Sequence, residues 1–472
     1  IDRVFFLLLV LMVGSFFFSI AINAIIVPAL FLLFLIDPRN DYAVWKRVIG
    51  TKRNIFLLII FLCLLISTIY SADKQAAFKG IFDALPLIIL PVSLYRIRHL
   101  PEQKLEWLKR IYVVSCFVFS AMTLLRAAIN AGLLDGSFRE AVSPDLYIPY
   151  FVNRFTYHQL SGGLHAVFLS LYVNLAIFFI LENSFRRFNF KVFISLVLLI
   201  YFLIYLLLLF SITLNFALYS FLAIYFFLKF TFNKWQEYIL FYAILITGTF
   251  VTWYLYVLKG INPSENSTYL FDSAVTNRPL LYASVLVFVL GSSLILIKRI
   301  LNRKYAYFVT AILLILVLVW FGFSGNMIRE RMQGMKETNI SARFVYGNAA
   351  IKTIKKHLFL GIGIGDKKNG AIIDIKELPR GSLNEHPFNA HNQFLDFWIM
   401  AGIIPVIFFI AFLYNEFAVA FKQKHLAYLG LVYCFGIFCF IDLAMMGQRG
   451  QIFFLFFICF FTNESTKRAI EN

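Results

Sequence analysis

The segment NEHPFNAHNQFLDFWIMAG (384–402) places His391 and Asn392 where a long polar stretch runs into an apolar one. An imidazole at such a boundary is neutral near pH 7 and can accept a proton from a hydroxyl. His386, five residues upstream, can serve the same purpose. A single histidine in this position is more often structural than catalytic, and spacing alone leaves both readings open. Five arginines form a second group: Arg126, Arg154, Arg278, Arg343 and Arg449 fall at or near the ends of apolar runs. A guanidinium presents a planar fork that fits phosphate oxygens. Any one of them can be a headgroup anchor, and Asp442, seven residues before Arg449, can be its ion-pair partner. The third feature is GIGIGD (361–366), with Gly361, Gly363 and Gly365. Its glycine spacing is not that of a dinucleotide fingerprint, and no strand precedes it. It reads as a tight turn closing the preceding helix, with a backbone contact to phosphate as the alternative. The five cysteines all lie in apolar runs and form no CxxC, and no HExxH occurs. No metal site and no cofactor are therefore expected.

What positions these residues follows from composition. Of 472 residues, 61% are hydrophobic and 14% charged, and 57 are Phe; the mean hydropathy is +0.80. A soluble domain is roughly 45–50% apolar and about 25% charged. A soluble enzyme, a disordered chain and a secreted disulfide scaffold are thereby excluded. The fold class is an all-α polytopic membrane protein. Counting apolar runs near the ~20 residues a crossing needs gives about 14 transmembrane helices (12–14). Residues 4–36 are too long for one crossing, and Asn23 and Pro28 near the middle predict a hairpin of two. The chain then divides into an N-terminal helix bundle (1–323), one large polar loop (324–391) and C-terminal helices with a tail (392–472). Within the loop, 341–358 predicts an amphipathic helix with Ser341 as N-cap and Phe344, Ala350, Ile351, Ile354 and Leu358 on its apolar face.

Lysine and arginine orient the bundle. One set of loops carries 24 of the 43 basic residues, and the other carries 19, of which 11 fall in the single long loop. Long loops translocate largely regardless of charge, so the comparison that counts is 24 against 8. The richer side is cytoplasmic, with both termini there, and the long loop faces outward. The net charge of +18 is thus a matter of topology, and no nucleic-acid partner is expected.

The block 341–404 resembles the O-antigen ligase and polymerase superfamily of bacterial inner-membrane glycosyltransferases. Arg343 opens an amphipathic helix, HLFLGIGIG stands where the family has His-Pro-Leu-x-Gly-x-Gly, and HNQFLDFWIMAGIIP follows. His391, Asn392 and Gly402 match the family's His-Asn and downstream glycine, with Pro405 where a second Gly is usual. The strong part of the match covers about 65 residues; elsewhere the likeness is in the pattern of spans. Where the family often has a Ser-Arg pair between two middle spans, this chain has Ser211 followed by Ile212. The family also more often has about 12 spans.

The resemblance implies an undecaprenyl-diphosphate-linked glycan as donor and a hydroxyl of the lipid A core, or of another glycan, as acceptor. It places the reaction at the periplasmic face of the inner membrane, without metal. It implies His391 as the base and Arg343 on the diphosphate, joined there by Arg154 or Arg278 in place of the missing arginine. Asn392, His386, Gly361, Gly363, Gly365 and Gly402 would position the acceptor and the loop. A polymerase with the same donor is the nearest alternative reading; protein glycosylation and a lipid-linked sugar flippase are others.

Overall fold

The computed structural model describes residues 1–130, 160, 162, 164–184, 190–209, 211–229, 235–260, 339–367, 390–445 and 447–471. Packing divides the chain into two compact units. One combines Ile1–Arg126, Leu160–Tyr205 and Arg343–Asn472; the other combines Ala127–Gln159 and Leu206–Ala342.

The first unit opens with α1 (Asp2–Ser15) and α2 (Ile20–Leu35). The predicted hairpin exists, but its turn lies at 16–19, ahead of Asn23, and Pro28 sits inside α2. Asn23 closes the turn from the first turn of α2: its carbonyl accepts from Ser15 Oγ (3.0 Å) and its amide donates to Ser19 O (3.4 Å). Next come α3 (Tyr42–Ile49), α4 (Lys52–Tyr70), α5 (Lys74–Ala84), α6 (Pro86–Ser93), a 3₁₀ turn (Leu94–His99) and α7 (Glu102–Asn130). Asp41, Thr51 and Asp73 supply side-chain N-caps for α3, α4 and α5, each satisfying an amide the helix leaves orphaned. The chain continues with α8 (Ala166–Ser184) and α9 (Phe190–Leu208). Helices α10 (Ile212–Lys229) and α11 (Trp235–Gly260) belong to the second unit, where Phe227 packs on Phe241. The first unit resumes with α12 (Asn339–Lys356), α13 (Gln393–Ala401), α14 (Ile403–Gln423), α15 (Leu426–Cys439) and α16 (Gln448–Glu471).

Four described helical segments are long and apolar enough to cross a bilayer: Lys52–Tyr70, Lys74–His99, Glu102–Asn130 and Ile403–Gln423. Shorter apolar helices occupy other predicted crossings, while those predicted at 280–297 and 305–323 lie outside the described residues. Helix α12 starts two residues before Ser341, which therefore lies within its first turn rather than at its cap. Its buried face is Ala349, Ala350, Thr353 and Ile354; Ile351 and Leu358, predicted on that face, are exposed.

The interior of the first unit is aromatic. Phe453 of α16 lies 4.1 Å from the Tyr172 ring of α8, and Phe454 stacks on Phe435 of α15 at 3.4 Å and 8°. Lipid is as apolar as these side chains, so association rests on close packing and inter-helix hydrogen bonds rather than on escape from water. Tyr112 Oη donates to Tyr172 O (2.8 Å), and the hydroxyls of Tyr205 and Thr123 are 2.7 Å apart. Four of the five cysteines are buried here, and Cys63 is half-buried.

Polar groups gather at the two ends. At one, the buried Arg96 binds the equally buried Asp37 at 2.7 Å and Asp2 at 2.7 Å, and Arg39 bridges the same two carboxylates. Arg53 and Thr462 bond at this end too (2.6 Å). All of these fall on the side the basic-residue count predicts as inward. At the other end, the 361–366 turn is clamped between α13 and the α4–α5 junction. Ile362 N and Gly363 N donate to Ile399 O and Met400 O (2.7 and 3.1 Å). Gly365 N and Ile364 N donate to Ser71 and Ser67 Oγ (3.2 and 3.3 Å). The Asp366 carboxylate accepts from Ala72 N and Asp73 N (2.6 and 2.9 Å).

Two predictions follow from these ends. Removing Arg96 (Arg96→Met) leaves the buried Asp37 with only the exposed Arg39 as its cation and should cost about 3 kcal/mol. In detergent its melting temperature should fall well below wild type, and adding Asp37→Asn should recover part of the loss. At Gly402 a Cβ would lie 1.8 Å from Phe359 O, and at Gly361 2.4 Å from Ile399 O, both at positive φ. Gly402→Ala should therefore disrupt the clamp, seen as rapid proteolysis of the 358–366 segment in an otherwise inserted protein. An Ala variant with wild-type protease resistance would contradict the packing described.

Candidate functional site

The site is built where α13 begins. His391 has φ +46°, a left-handed conformation in which histidine is among the more tolerated residues. It turns the chain into α13, which Asn392 caps: its Oδ1 accepts from Phe394 N and Leu395 N (2.9 and 3.1 Å). Asn392 also reaches across, donating Nδ2–H to Phe440 O (3.1 Å), while Gln393 Oε1 accepts from Met445 N (2.7 Å). The α15–α16 turn is thus fastened at both ends to the two residues that follow His391. Between these fasteners sits Asp442, its Oδ1 3.6 Å from His391 Nδ1. That is an ion-pair distance rather than a hydrogen bond.

The Asp442 carboxyl is held below its ordinary range. Burial pushes it up, but the contact with His391, the amide of Leu443 and the nearby His165 outweigh that. Leu443 N donates to its Oδ1 at 2.9 Å. Asp442 is therefore an anion at neutral pH. A carboxylate opposite Nδ1 stabilises a proton there and leaves Nε2 as the basic nitrogen. The Tyr346 ring of α12 lies 6.1 Å from the imidazole.

Helix α12 is held against α13 by Ala349, Ala350 and Ile354 packing on Ala390 and Ile399. Arg343 lies three residues before Tyr346 in the same helix. Behind the site, Lys367 Nζ binds the buried Asp396 at 3.1 Å. This pair anchors the chain just after the glycine turn to the same short helix.

The sequence-predicted residues thus divide. His391, Asn392, Gly402, Gly361 and Gly363 converge on α13, and Gly365 sits against the α4–α5 junction. Arg343 belongs to the helix packed against it. Arg126 is exposed in α7, and Arg449 is half-buried in the first turn of α16. Arg154, Arg278 and His386 lie outside the described residues, as does most of the large loop. The ion pair considered between Asp442 and Arg449 is replaced: among the described residues Asp442 faces His391. Sequence reading missed that pairing, and it missed Gln393, Tyr346 and the Lys367–Asp396 bridge. Asp442 lies 51 positions from His391, beyond any local periodicity, although an acidic residue between two apolar helices was itself a signal.

No curated protein matches the chain. Residues 282–410 match the family model described as O-antigen ligase. That stretch contains Arg343, the glycine turn, His391, Asn392 and Gly402, so the likeness to the O-antigen ligase family model lies in the part of the chain that holds the site.

Proposed function

We propose that the protein is a membrane glycosyltransferase of the O-antigen ligase type, moving a glycan from undecaprenyl diphosphate to an acceptor hydroxyl of the lipid A core. The observation that carries this reading is the His391 imidazole facing Asp442 at the start of α13, inside the segment that matches the family. The anomeric carbon–oxygen bond to the diphosphate breaks, and the acceptor oxygen bonds to that carbon. The hydroxyl proton passes to His391 Nε2, and the leaving diphosphate carries off the negative charge. Arg343, with Arg154 or Arg278, holds the diphosphate and stabilises that charge as it develops. The energy resides in the donor, so no nucleotide is consumed. The reaction takes place at the periplasmic face of the inner membrane. His386, Asn392 and Gly402 set the geometry around His391, and the clamped glycine turn acts as a fixed shelf under α13.

The roles of His391 and Asp442 differ in size. A positioned base is worth about 10²–10⁴-fold, whereas a carboxylate that only orients it is worth less. With purified protein, lipid-diphosphate-linked glycan and lipid A core, His391→Ala should abolish transfer while keeping its elution profile. Asp442→Asn should slow turnover on the order of tenfold, equal to ~1.4 kcal/mol, with KM nearly unchanged. Wild-type transfer by His391→Ala would sink the assignment. Lengthening of the lipid-linked glycan in place of transfer to the core would make the protein a polymerase.

Asp442 also predicts an acid limit. Its folded-state value is depressed, so its stabilisation is complete at neutral pH and is lost as pH falls below about 4. The Asp442→Asn variant should show a flatter fall of melting temperature over that acidic range than wild type. Parallel curves for the two proteins would contradict the pairing.

A further inference from the structure

The end of α12 and the turn after it present a surface that the reaction above does not use. Lys352, Lys355, Lys356 and His357 are all exposed, and Leu358, Phe359 and Leu360 follow without a break. Phe359 is 70% and Leu360 63% exposed. Large apolar side chains so exposed mark an interaction surface.

Their backbone is not loose. Leu358 O accepts from Trp398 Nε1 (2.9 Å), and Leu360 O accepts from Tyr70 Oη. Phe359 O rests where a Cβ of Gly402 would be. The carbonyls point into the bundle, and the side chains are left outside it.

The height of this segment is set by those partners. Tyr70 is the last residue of α4, and Gly402 immediately precedes α14. Both helices are long enough to span, at ~29 and ~32 Å. Their outer faces carry exposed Ile66 and Ile69, and Ile404, Ile407 and Ile410. Phe359 and Leu360 therefore stand at the level where two lipid-facing stripes meet the headgroups. Three exposed lysines within five positions, in the last two turns of α12, immediately precede them in the chain.

We propose that residues 352–360 form an interfacial hook on the bilayer. Leu358, Phe359 and Leu360 enter the boundary between headgroups and acyl chains, and Lys352, Lys355 and Lys356 bind the phosphates of anionic lipids. A basic face joined to a short apolar wedge is the pattern of an element lying in the interface. Each basic residue near an anionic surface gains roughly 1 kcal/mol, about fivefold in local lipid concentration. The hook is independent of the transfer reaction. Its consequence is mechanical: α12 is pinned at the lipid surface at one end and packs beside His391 at the other.

The test uses the full chain in nanodiscs made of phosphatidylcholine and phosphatidylglycerol. A photo-crosslinking benzoylphenylalanine replaces Phe359 or Leu360, and irradiated adducts are identified by mass. Both positions should yield lipid adducts, with at least a ~3-fold preference for phosphatidylglycerol beyond its share of the disc. The preference should vanish with Lys352→Gln, Lys355→Gln and Lys356→Gln combined, while lipid adducts persist. Adducts to peptides of this chain or of a second copy would overturn the proposal. So would lipid adducts with no headgroup preference in the lysine-intact protein. An unchanged elution profile for each variant shows that the fold is retained in every arm.

Discussion

One contact constrains everything at the His391 end: the carbonyl of Phe359 occupies the space that a side chain at Gly402 would fill. That approach breaks α13 from α14 and aligns the next two amides, of Ile362 and Gly363, with the last carbonyls of α13. The break is thereby supplied with partners, as backbone polar groups near lipid require. The same turn then reaches the α4–α5 junction through Ser67, Ser71 and Asp366. Helices distant in sequence are locked into one frame by atoms that are almost all backbone or small side chains. His391, the proposed base, is added to this frame at the other end of α13, beside the fasteners Asn392 and Gln393.

The arrangement separates two tasks. Cohesion comes from an aromatic interior in α8, α15 and α16, where ring contacts below 6 Å are numerous and carry no charge. Each such pair adds about 0.5–1.5 kcal/mol beyond its burial. Orientation comes from polar clusters at the ends, where a misplaced helix would leave a buried ion without its partner. The opposite end has its own set: Glu416 is buried beside Tyr428, which donates to it, and Asn415, and His425 lies 3.2 Å from Glu182.

How much of this was legible depends on sequence distance. Apolar runs announce helices because one run is one element. The basic-residue count predicts one side for the loops that hold Asp37 and Arg96, and these two residues share one cluster with Asp2. His391, Asn392 and Gly402 were legible as a motif. Its partner was not, because Asp442 reaches His391 only through the fastening of the α15–α16 turn. Ser341 was misread as a cap because a polar residue ahead of an apolar stretch looks the same one turn inside a helix. Ile351 and Leu358 were misread as core since apolar spacing does not reveal which face a neighbour covers. The three glycines read as a tight turn, and the structure adds that close backbone approach is what requires them. A tight turn and a close approach call for the same residue.

The placement of charge also bears on what kind of chemistry the protein supports. A transporter for lipid-linked sugars needs polar groups near the bilayer midplane, on interrupted helices. Here the interruption at Gly402 sits at one end of α14, beside the last residue of α4, rather than in the middle of either. Buried charges in the first unit follow the same rule: Asp396 with Lys367 at the His391 end, and Arg96, Asp37 and Glu416 toward the other. Between them the described interior is uncharged, with rings and aliphatic chains and a few small polar groups such as Thr123 and Asn174. A diphosphate on a polyprenyl tail rides at headgroup height, since its charge is costly any deeper. The proposed base, His391, on a short helix that stops where the spanning helix begins, is at the height such a substrate would present, which is why we propose a reaction at the membrane surface rather than passage through it.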